Sequence, residues 1–159
     1  MIFKLGRKYL YFVPACILLL VTFSVKGQSE PADSLHFESK RNIPDSSKIK
    51  VFNRLGFFYL KDQPDSALRY FYRAIELIER KSIESVHSEP TSDSYRKIFL
   101  ARSKSSSHLG IGRIYLNKKN ESKAMEHFKT SGRLLNDIGD RERMVEVYGA
   151  IADIHIAFD

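Results

Sequence analysis

Five histidines, one cysteine and a run of three serines are the side chains of this 159-residue chain with the most chemistry to offer. Histidines could hold a metal ion if two of them stood near a cysteine or an acid at ligand spacing, but here they are scattered singly. His108, His127 and His155 fall on predicted helices, where packing or solvent contact is the expected role. Cys16 is the only thiol and lies inside an apolar run. Ser105-Ser106-Ser107 could supply a nucleophile only with a base beside it, and the pattern provides none. Leu109-Gly110-Ile111-Gly112 begins like a dinucleotide-binding turn, yet it lies in a predicted helix and lacks the later glycine. Asn120-Glu121-Ser122 matches a glycosylation acceptor, a triplet frequent by chance. The expectation is a chain with no catalytic residues, no cofactor and no metal.

The elements that carry these residues are more informative. One stretch reads Phe52, Leu55, Gly56, Tyr59, then Ala67, Phe71, Ala74. A second reads His108, Ile111, Gly112, Tyr115, then Ala124, Phe128, Ser131. Both follow aromatic-x2-aliphatic-Gly-x2-Tyr and then Ala-x3-Phe-x2-small. Leu55, Gly56 and Tyr59 share one helix face. A glycine within a helix costs about 1 kcal/mol relative to alanine, so its recurrence calls for a reason, such as close approach of a second helix. Phe71 and Phe128 would fill the space between paired helices, each contributing about 1.5–3 kcal/mol when buried.

This pattern resembles the tetratricopeptide repeat (TPR), a helix–turn–helix unit. The resemblance covers about 46–159 and implies an all-α fold, a TPR-like solenoid of helical hairpins with about two and a half repeats. A third first-helix pattern is Tyr148, Ile151, Ala152 and His155. The chain departs from the family in having no Trp, with Phe52 and His108 in its place, and in a spacing from Gly56 to Gly112 longer than the family's period of about 34. An insertion over Ser82–Ser94, with Pro90 and several Ser and Thr residues, accounts for the extra length. Helices are expected at 46–61, 64–82, 93–117, 121–136 and 141–157. Asp45 or Ser46, Pro64 and Asn120 mark three of the starts.

The first 27 residues read as a leader. Lys4, Arg7 and Lys8 precede an apolar run from Tyr9 to Val25, and no acid occurs before Glu30. Cleavage is expected after Gly27, with an uncleaved signal anchor as the alternative. The chain is then exported across the inner membrane, to a periplasmic or extracellular location. A polar linker is expected over 28–45 and the repeat domain over 46–159. The net charge of +7 partly belongs to the leader. Removing its four basic residues from 26 leaves 22 against 19 acids, too small an excess to point to nucleic acid.

What the TPR resemblance implies for function is a scaffold that holds a protein or peptide partner in a groove lined by the first helix of each repeat. By position in the repeat, the groove candidates are Asn53, Phe57, Leu60, Arg113, Leu116, Asn117 and Asp153. The chain also resembles exported bacterial TPR proteins, through Pro64-Asp65-Ser66-Ala67-Leu68 and Leu135-Asn136-Asp137-Ile138-Gly139-Asp140. The alternative function is therefore the truncated extracytoplasmic sensor region of a TPR-containing histidine kinase or transcriptional regulator. Membrane contact is expected only through an uncleaved leader. The last helix is apolar on more than one side, with Val145, Val147, Ile151, Ile154, Ile156 and Phe158, and self-association through it is expected.

Overall fold

A computed structural model of the chain describes residues 31–84 and 93–158. The expected leader over 1–27, the start of the linker and most of the expected insertion lie outside the described residues. The chain divides into two compact units, Met1–Ser34 and Leu35–Asp159, and the packing that positions the site lies within the second. All secondary structure among the described residues is helical: α1 (Pro31–Lys40), α2 (Asp45–Tyr59), α3 (Pro64–Glu84), α4 (Asp93–Asn117), α5 (Glu121–Asn136) and α6 (Arg141–Phe158). The five expected helices fall within two residues of these bounds at each end. Among the described residues, no helix is long and apolar enough to cross a membrane.

Helix α1 occupies a stretch expected to be linker. Its polarity is misleading because a few residues carry the packing. Leu35 is buried with Val51 and Leu55, and Ile43 beyond the helix joins them. His36 Nε2 lies 2.8 Å from the Tyr59 hydroxyl, and its Nδ1 lies 3.3 Å from the Tyr70 hydroxyl.

The helix starts are of two kinds, with and without a side-chain cap. Asn120 caps α5, its side chain accepting a hydrogen bond from the Lys123 amide, as the sequence suggests. Neither Asp45 nor Ser46 caps α2; the cap position is Pro44, with no side-chain bond, and Asp45 instead pairs with Lys81 at 3.0 Å. Asp140 caps α6, accepting from the Arg143 amide at 3.3 Å. The turn before it bends through Gly139, whose φ of 69° favours glycine.

Each helix from α2 onward packs on the next, and α2 on α4 and α4 on α6 pack as well. Short connections make the pairs α2–α3 and α4–α5 into hairpins. In the first, Gly56 meets Phe71 near the turn, while Asp45 meets Lys81 at the far end, which is an antiparallel register.

The two hairpins repeat one another in detail. Gly56 lies flat against the Phe71 ring and Gly112 against the Phe128 ring; a methyl group at either glycine would overlap the ring. Phe52 stacks on Tyr70, and Tyr70 on Tyr59, with centroids 6.3 and 5.9 Å apart. At the corresponding places His108 lies on His127 and His127 on Tyr115, at 5.2 and 5.7 Å. Ala67, Phe71 and Ala74 are fully buried, and so are Ala124, Phe128 and Ser131. Gly110 adds a contact between hairpins, because Phe71 also presses on it. The Gly-x-Gly of α4 thus serves two seams, one toward α3 and one toward α5.

Polar groups within these seams are matched. The Ser105 and Ser131 hydroxyls lie 2.7 Å apart, and Ser131 Oγ also donates to the Ser105 carbonyl at 3.0 Å. No buried side-chain nitrogen or oxygen among the described residues lacks a hydrogen-bond partner. Small hydroxyl side chains let helices close on one another while satisfying their own polarity. On α6 the sides are distinct: Val147, Ala150 and Ile154 are buried, whereas Val145, Tyr148 and Ile156 are exposed.

Candidate functional site

The most informative surface is a groove of about 580 Å³ shared by the first helix of each hairpin and by α6. Helix α2 contributes Lys50, Arg54 and Phe57, which recur at helical spacing on one face. Helix α4 contributes Phe99, Arg102 and Ser106, and α6 contributes Arg143. The lining residues carry four cations and no carboxylate.

The cations are held in different ways. The Lys50 ammonium sits 5.4 Å from the centroid of the Phe99 ring, a cation–π contact. Arg54 is exposed and has no ion-pair partner among the described residues. Arg102 and Arg143 converge on one carboxylate, the buried Asp140, at 2.7 and 3.3 Å. Both use Nε for that contact, which leaves the terminal nitrogens of each guanidinium clear of it. Asp140 therefore performs two tasks, capping α6 and fixing the two arginines. Phe57 stands edge-on to Phe71 at 5.1 Å and remains 37% exposed, an apolar spot amid the charges.

The sequence-based candidates distribute unevenly around this groove. Phe57 lines it. Asn53 also reaches it, but is only 8% exposed. Its side-chain amide donates to the Ser103 carbonyl at 2.9 Å and accepts from the Ser107 hydroxyl at 2.7 Å, tying α2 to α4. Leu60 packs against the core around Phe71, and Leu116 against the core around Phe128. Arg113 bridges α4 and α6 through Glu146 at 3.0 Å. Asn117 and Asp153 are exposed, and neither lines the groove.

Lys50, Arg54, Phe99, Arg102, Ser106 and Arg143 escape the sequence reading. Lys50 lies one turn before Asn53 and Arg54 lies between Asn53 and Phe57, so widening the first repeat's stripe and extending it one turn toward the N-terminus would find them. Arg102 and Arg143 carry no such signal, because their convergence depends on Asp140 and on the packing of α4 against α6.

A second polar cluster lies within the α4–α5 hairpin. The Nδ1 atoms of His108 and His127 are 2.9 Å apart. Burial and the neighbouring His127 push the pKa of His108 down to about 4. Burial also lowers that of His127. The pair is thus uncharged at neutral pH. Among the described residues, no group of three or more His, Cys, Asp or Glu side chains could hold a metal ion.

In comparisons with known proteins, no family model, curated protein or solved structure matches this chain.

Proposed function

We propose that the chain is an exported, TPR-type interaction module that holds an extended peptide of a partner protein in the groove shared by α2, α4 and α6. The observation that carries this reading is the groove itself: the first helix of each hairpin and α6 place donors and an exposed phenyl ring on one surface. Such an arrangement suits recognition of a chain laid across the helices. The TPR reading is supported by the two hairpins' shared seams, glycine against phenylalanine and a cluster of three rings at corresponding places in each.

Panning a displayed library of random peptides on the full chain tests the function. Peptides retained by the wild type and lost on Ser106→Trp, which fills the groove from α4, are the expected outcome. Retention that ignores this substitution would place binding elsewhere. Export rests on the charged start and apolar run of the leader. N-terminal sequencing should find a chain beginning at Gln28 outside the cytoplasm; a cytoplasmic product starting at Met1 would exclude it.

A further inference from the structure

The charges of the groove select among peptides. We propose that its ligand is an acidic segment, an extended stretch rich in Asp and Glu that also carries an apolar side chain for Phe57. This rests on the reading of the groove as a peptide site and adds the chemistry of the occupant.

The argument starts from imbalance. Four cations line the groove, and among the described residues Asp140 is the one carboxylate paired with any of them, so three positive charges are left unbalanced there. On the same helix α4, by contrast, Arg113 is paired with Glu146 and Lys104 with Glu79. Within the groove, four cations thus share one surface whose lining carries no carboxylate of its own. Electrostatic complementarity then favours a negatively charged partner.

Geometry refines the choice. Arg102 and Arg143 are anchored through Nε, so their orientation is set before any ligand arrives. Their terminal nitrogens present the paired donors that suit a carboxylate. Arg54 and Lys50 supply further charge one turn apart on α2. Three packed helices at about 8–10 Å spacing span about 16–20 Å, the length of about five or six extended residues. Phe57, between the charges, offers an apolar contact. The other ring of the lining, Phe99, already carries the Lys50 ammonium over its face, so the groove lacks a pair of open ring faces for successive bases, which favours a peptide over a single-stranded nucleic acid.

Fluorescence anisotropy with the full chain tests this. The probe is a labelled heptapeptide of five Glu, one Leu and one Phe, and its counterpart carries Lys in place of Glu. The acidic probe should bind and the basic one should not, with affinity falling as salt rises. Arg54→Glu should weaken binding at least about tenfold, while Arg54→Lys largely retains it, both with unchanged circular dichroism. Equal binding of the two probes, or no loss with Arg54→Glu, would overturn the acidic ligand. So would displacement of the acidic probe by an equal concentration of oligothymidylate.

The panning experiment separates the two levels of inference. Acidic sequences lost on Ser106→Trp support both. Neutral or basic sequences lost on Ser106→Trp overturn the acidic ligand and leave the peptide groove standing. Retention of no peptide at all overturns both.

Discussion

Asp140 shows how much one side chain can organise. It is 8% exposed, accepts from the Arg143 amide at the start of α6, and holds Arg102 from α4. A buried carboxylate is tolerated only when charge and hydrogen bonds compensate its lost hydration, and here two guanidinium groups and a helix start do so. Asp140→Ala removes the cap and leaves both arginines unanchored. A loss of about 1–2 kcal/mol is expected in urea unfolding. Asp140→Asn keeps an oxygen for the amide and should cost less, while still unbalancing the groove by one more positive charge. Equal losses for the two variants would mean that charge, rather than the cap, is what the fold needs there.

The paired helices are where the two hairpins can be compared. Phe52 and Tyr70 in the first correspond to His108 and His127 in the second, so the same two places hold a phenyl and a phenol ring in one and two imidazoles in the other. Because His108 is held at about 4 against an ordinary value near 6.5, the unfolded chain takes up its proton first as the pH falls. Stability from this seam is complete above about pH 6.5 and is lost progressively toward pH 4. Lys104 and Arg133 beside His108, and Lys123 beside His127, reinforce the effect, whereas Glu79 and Glu126 oppose it. The full depression corresponds to about 3 kcal/mol, which partial solvent contact of the ring reduces to about 1–2. The melting temperature should therefore fall between pH 6.5 and 4.5. A His108→Phe/His127→Tyr variant, which copies the first hairpin, should lose most of that fall; an unchanged profile would locate the acid sensitivity elsewhere. The helices and their seams were legible in the sequence because periodicity and a repeated motif report local spacing. The histidine pair was not, since the two residues meet across a turn and only packing shows that their rings face each other. The groove was legible in part: Phe57 follows from its place in the repeat, but Arg102 and Arg143 become neighbours only through a third residue. Helix α1 was missed for the opposite reason, as its few packing residues are diluted by polar ones.

At the scale of the whole molecule, α6 leaves Val145, Tyr148 and Ile156 exposed at 71%, 59% and 81%. Sedimentation should reveal concentration-dependent self-association that Val145→Lys/Ile156→Lys reduces. If the variant associates as strongly as the wild type, this face is not the contact. Ile154 is unsuitable for the same test, since it is fully buried and a lysine there would unfold the helix packing instead. The Phe71 ring, caught between Gly56 on α2 and Gly110 on α4, has a consequence for how the molecule comes apart. A linear array can lose stability one unit at a time, in proportion to how weakly each unit grips the next. Here a single rivet passes through three helices, so withdrawing α4 strips one wall from the ring that closes the first hairpin. The boundary between hairpins is therefore a poor place for a crack to start. Slow hydrogen exchange should extend across α2, α3 and α4 as one cooperative block, with fraying confined to the outer helices.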